Sequence, residues 1–184
     1  MNIRTAPARG TFFIIICLIT VFVFTETTQT MFLATYNSVV VDSQYYLLLI
    51  SIFAGVGDFS VFGILSLMIT VYIMRMLGQT AEIFFGEAKL ILIYIASGLV
   101  GSLAGLFLFQ DNVSMGFSLG VMGIIGGVIG YMRRIKESSV AMNHTLILST
   151  IIMITRIMVS GISLTAYAIA ILTGALIGYS GTKK

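Results

Sequence analysis

Apolar residues arrive along this chain in long, nearly unbroken blocks, and polar positions gather in the short gaps between them. Blocks of that length predict membrane-crossing helices rather than the alternation of a half-buried strand. They cover 11–25, 59–77, 90–109, 116–132, 146–160 and 162–179, giving six candidate spans. A further run, 45–53, is too short to cross about 30 Å of hydrocarbon. It ends at Ala54-Gly55-Val56-Gly57-Asp58 and reads as an interfacial or re-entrant piece within a first loop, 35–58. The first block follows Arg4 and Arg9 as a secretory signal would, yet no small-x-small cleavage site comes after it. The chain continues Glu26-Thr27-Thr28-Gln29-Thr30, so this segment is expected to stay as a span.

Composition agrees. The chain is 58% hydrophobic and 9% charged, with a mean hydropathy of +1.08, whereas soluble domains carry roughly 25% charged residues. Its 184 residues are filled by six spans, so a single transmembrane domain, 1–184, is expected. With an N-terminus inside, Arg4, Arg9, Arg75, Lys89, Arg133, Arg134, Lys136, Lys183 and Lys184 all fall inside and only Arg156 falls near the outer side. Both termini are then cytoplasmic, and the plasma membrane of a bacterium is the expected location. Topology thus accounts for the net charge of +3, and nucleic acid is not an expected partner. The run Arg133-Arg134-Ile135-Lys136 reads as a topology determinant rather than a lipid-binding site. Cys17 is the single cysteine and reads as a packing residue. The eleven methionines have no histidine or cysteine cluster beside them, so neither a metal nor any other cofactor is expected.

Candidate chemistry lies in the fourth block. Ser114-Met115-Gly116-Phe117-Ser118 opens a glycine-stepped apolar segment, placing the Ser118 hydroxyl near the outer end of a buried helix. The fourth and sixth spans run in the same direction, so Tyr167 falls at a similar depth. Gly116, Gly120, Gly123, Gly126 and Gly127 on one, with Gly174 and Gly178 on the other, permit close backbone approach. Such glycine faces are also expected to leave grooves for a partner helix.

Three sequence blocks, in order, resemble the rhomboid family of intramembrane serine proteases over about 44–178. Gly78-Gln79-Thr80-Ala81-Glu82-Ile83-Phe84-Phe85-Gly86, with Lys89 and Ile93-Tyr94-Ile95-Ala96-Ser97-Gly98 after it, resembles the G-x-x-x-E-x-x-x-G turn between the second and third spans. Ser114 to Ser118 is similar to the S-x-G-x-S stretch that carries the nucleophile. Ala166-Tyr167, leading to Gly174 and Gly178, resembles the last span with its A-H-x-x-G-x-x-x-G. The resemblance implies an all-α membrane protein, a rhomboid-like bundle of six transmembrane helices. It also implies a serine-type endopeptidase ancestry, with Ser118 in the nucleophile position.

The departures fall on the chemistry. Tyr167 stands where the family has its base histidine, and Ala170 replaces the glycine three residues on. The family's second-span histidine and asparagine map to Ser66 and Thr70 counting from Gly78, or to Ser60 and Ile64 counting from Phe53. Leu47 takes the place of the usual first-loop arginine, and Leu119 follows Ser118 where many members have glycine. His144, the chain's single histidine, is expected at the inner start of the fifth span, most of a bilayer from Ser118. A serine hydroxyl is a weak nucleophile without an adjacent base, and a phenol with an ordinary pKa of about 10 is poorly suited to that task. The expectation is a proteolytically impaired pseudoprotease in the bilayer, which either binds transmembrane segments of other proteins or has Tyr167 hydrogen-bonded to Ser118 as a structural plug of the former site. An active intramembrane endopeptidase using another base, such as a Ser–Lys pair, is an alternative, though the lysines are all assigned inside. A small six-span transport component is a second, with Arg156 the nearest intramembrane charge, expected to snorkel outward.

Overall fold

Glycine decides which helix sits at the centre. The computed structural model describes residues 8–28, 39, 42–54, 61–108, 116–135, 146–147, 150–151, 154 and 164–180. Among these there are six helices and no strand: α1 (Arg9–Thr28), α2 (Tyr46–Ser51), α3 (Val61–Phe85), α4 (Glu87–Leu108), α5 (Gly116–Ile135) and α6 (Leu164–Tyr179). Every residue from 117 to 128 of α5 is buried, because α4 and α6 close on it from two sides. A Cβ built on Gly174 would run into the Gly123 backbone, and one on Gly178 into that of Gly127. Gly126 and Gly130 in turn lie against the main chain of Ile171 and Ala175. Those pairings advance together along both helices, so α5 and α6 are parallel. On the other side, Ile93, Ser97 and Gly101 of α4 meet Gly127, Gly123 and Leu119, so α4 runs antiparallel to α5.

The outer helices show the reverse pattern. Phe12, Ile16 and Val23 of α1, Leu65, Met68 and Tyr72 of α3, Leu92 and Phe107 of α4, and Leu172 and Leu176 of α6 are all exposed. An apolar belt of this extent suits hydrocarbon rather than water. One helical stretch among the described residues, Glu87–Phe107, is long and apolar enough to cross a membrane, and Arg9–Thr25 and Leu164–Tyr179 are shorter apolar helices. In the expected fifth span, positions 146, 147, 150, 151 and 154 are helical. Leu146 packs against the core while Ile147, Ile151 and Ile154 face outward. The remainder of that span, with Arg156 and His144, lies outside the described residues.

The stretch that resembles a turn, Gly78 to Gly86, is helical up to Phe85 and breaks at one residue. Gly86 adopts φ +78°, the left-handed conformation that ends helices cheaply only at glycine. Thus α3 continues two turns past the expected end at 77. Its polar residues are satisfied there: Thr80 donates to the Met76 carbonyl at 2.9 Å, and the Glu82 carboxylate caps α1. Glu82 accepts from the Gly10 and Thr11 amides at 3.0 and 2.9 Å and from the Thr11 hydroxyl at 2.7 Å. An anionic acceptor at a helix N-terminus satisfies orphan donors and complements the helix dipole. Gly78 makes room for this contact, since a Cβ there would lie 2.8 Å from Thr11 Cγ2.

The short run 45–53 holds α2 and then turns into the bundle. After α2, Ile52 is fully buried and its carbonyl accepts the Tyr94 hydroxyl at 2.7 Å. The first-loop segment therefore descends from the end of the bundle near Leu106, where Leu47 and Val39 pack, to the interior face of α4.

Replacing Gly174 with valine is expected to force α6 away from α5 at a cost of about 1–3 kcal/mol, the usual range for overpacking. Thermal unfolding of the purified protein in mild detergent checks this, with Ala168→Val on the exposed face of α6 expected to leave the midpoint unchanged.

Candidate functional site

Ser118 lies in the first turn of α5 and Tyr167 in the first turn of α6. Parallel helices in backbone contact put those turns at one level, and the two hydroxyl oxygens stand 3.0 Å apart, with either group able to donate. Ser118 is 7% exposed and Tyr167 2% exposed. The expectation from span direction thus has a direct geometric counterpart.

Small residues on three helices hold this arrangement. Ala166 and Ala170 are fully buried, and Gly101 on α4 receives them: a Cβ there would lie 3.2 Å from the Ala170 methyl and from Leu119 Cδ2. The methyl group that Ala170 adds on α6 is therefore matched by the side chain that Gly101 lacks on α4. Leu119 is also buried, filling the space beside Ser118 with apolar volume.

Other sequence-nominated positions fare differently. Thr70 is buried on α3 and makes no hydrogen bond to Ser118 or Tyr167 among the described residues. Ser66 belongs to the helical backbone of α3, but its side chain lies outside the described set, as does Ser60; Ile64 is an exposed apolar residue. Leu47, in the position of the family's arginine, is a buried apolar contact to Val39 and Leu106. Among the described residues the glycine faces are filled rather than grooved: each of Gly120, Gly123, Gly126, Gly127, Gly174 and Gly178 is already met by a neighbour within the bundle. Small residues lower the cost of close approach, and this chain uses that approach internally.

Tyr94 went unnoticed as a working residue in the sequence. Its ring lies so close to Gly120 that a Cβ there would sit 2.6 Å from Cε2. It also contacts the Phe53 ring at a centroid distance of 5.6 Å. A tyrosine inside an apolar span, opposite a glycine-stepped helix, was the available signal: a buried phenol needs an acceptor, and Ile52 supplies it.

Among the described residues, a serine in the first turn of a glycine-stepped central helix thus faces a tyrosine on a parallel last helix inside an all-helical bundle. The Rhomboid domain family model matches residues 42–184, and the chain belongs to the rhomboid family, whose members are embedded in membranes. No individual curated protein and no solved structure matches the chain.

If the Ser118–Tyr167 contact stabilises the fold, Tyr167→Phe and Ser118→Ala are each expected to lower stability, and a double-mutant cycle should return a coupling of about 0.6–2 kcal/mol, the range for interhelical hydrogen bonds in membranes. Strictly additive effects in detergent unfolding would show that the pair is not coupled.

Proposed function

We propose that this rhomboid is proteolytically impaired and serves through contacts with transmembrane segments of other proteins. The observation that carries this reading is the hydroxyl–hydroxyl contact between Ser118 and Tyr167 at 3.0 Å. Peptide hydrolysis by a serine requires a neighbour that takes its proton during attack. A phenol gives that serine a hydrogen-bond partner without a base suited to neutral pH. Loss of a positioned general base costs about 10² to 10⁴ in rate. Lys89, the lysine among the described residues, is at the start of α4, at the opposite end of the bundle from Ser118. That position argues against a Ser–Lys arrangement.

The topology belongs to the same proposal. Arg9, Lys89, Arg133 and Arg134 cluster where α1 and α4 begin and α5 ends, and this end is assigned to the cytoplasm by the excess of basic residues. A multi-pass chain with both termini inside follows. Because the glycine faces are filled, a partner helix would meet the outward apolar faces of α3 and α6, where Met68 and Leu172 are exposed.

Two measurements test the two halves of this reading. A serine-directed fluorophosphonate is expected to label the purified protein no more than its Ser118→Ala variant; selective labelling of Ser118 would overturn the impaired-protease half. Photo-crosslinkers placed at Met68 and Leu172 in intact membranes are expected to capture single-span proteins, and adducts confined to lipid would overturn the partner half.

A further inference from the structure

The basic end of the bundle holds a side-chain cluster that the serine–tyrosine pair does not use. Lys89, half-buried in the first turn of α4, holds its ammonium 5.6 Å from the centroid of the Phe85 ring. Phe85 meets Tyr131 of α5 edge-on at 5.5 Å, and Phe84 packs on the same tyrosine at 5.4 Å. One turn further along α5, Arg134 is half-buried and donates from Nη1 to the Tyr179 carbonyl at the end of α6, 2.9 Å away. Two cations from different helices thus stand beside one aromatic cluster, and burial first and the Arg134 charge second hold the Lys89 ammonium below its usual pKa.

Among the described residues, the Glu82 carboxylate is committed elsewhere. Glu82 accepts from Gly10 and Thr11, and Glu87 lies against Gly10, where a Cβ would sit 3.1 Å from its Cγ. No carboxylate pairs with Lys89 or Arg134 among the described residues. Orienting a chain in a membrane needs basic residues at the correct end, but not two of them turned together and partly withdrawn from water, where their repulsion is unfavourable. An anion between them removes that repulsion, and Arg134 spends one donor on Tyr179, leaving other guanidinium donors for an oxyanion. Two features favour a lipid over a soluble anion. The aromatic residues Phe85 and Tyr131 sit where helix ends meet, the level at which interfacial aromatics collect. Leu92, one turn deeper on the same face of α4, is exposed and available to an acyl chain.

We propose that Lys89 and Arg134 form a site for the phosphate of an anionic phospholipid, seated on the Phe85–Tyr131 floor. Binding is read by native mass spectrometry of the full chain in mild detergent, titrated with phosphatidylglycerol, phosphatidylcholine or inorganic phosphate. Phosphatidylglycerol is expected to bind in preference to phosphatidylcholine. Lys89→Gln or Arg134→Gln alone should weaken it about fivefold and the pair about 25-fold, in line with the usual contribution of one basic residue near an anionic surface. Arg9→Gln, an exposed cation at the same end, should leave binding unchanged. If the double variant does not fold, the Lys89→Gln result decides the matter. Equal loss in Arg9→Gln, no loss in Lys89→Gln, equal binding of the two lipids, or inorganic phosphate competing at the lipid's own concentration would each overturn the proposal.

Discussion

Backbone contact between α5 and α6 is the constraint from which the site follows. Lipid chains are as apolar as leucine, so helices in a bilayer gain little from hiding apolar surface and associate through close packing and hydrogen bonds. Gly123 against Gly174 and Gly127 against Gly178 bring two main chains together, and the parallel register then fixes what stands opposite what. Ser118 faces Tyr167 because both lie in the first turns of helices locked four residues at a time. A side chain at any of these glycines moves the hydroxyls apart before it does anything else.

The same close packing explains the division of surface. With α5 enclosed from Phe117 to Val128, several polar groups of the bundle are matched internally, while the Ser97 and Ser102 hydroxyls of α4 are buried without a hydrogen-bond partner among the described residues. Glu82 serves the N-terminus of α1, Tyr94 serves the Ile52 carbonyl, and Ser118 serves Tyr167. The outward faces are left to aromatic and aliphatic side chains. In this chain the packing of the scaffold rests on glycines and a helix cap, with a phenol rather than an imidazole beside Ser118.

Much of this could be read from the sequence, for identifiable reasons. Block length and the direction of alternate spans put Ser118 and Tyr167 at one depth, and the four-residue spacing of Gly123–Gly127 and Gly174–Gly178 marked the faces that meet. Spacing could not say whether those faces met each other or a partner, since either use needs the same small residues; the bundle closes on itself. Helix α3 runs on past 77, where the apolar block ends, because Thr80 and Glu82 find partners in the Met76 carbonyl one turn back and at the start of α1, about seventy residues away. Tyr94 carried a signal as a phenol inside an apolar span, but its acceptor did not, because the Ile52 main-chain carbonyl has no side-chain signature.

The central claim is that a phenol beside the serine leaves the scaffold intact and the hydrolysis without an agent for the proton. It is tested most directly by reconstituting the wild-type chain and its Tyr167→His variant in liposomes with a helical transmembrane substrate and measuring cleavage. The account predicts that the wild type cleaves no faster than Ser118→Ala and that any gain appears only with histidine at 167. Wild-type turnover that disappears on changing Ser118 to alanine would contradict it.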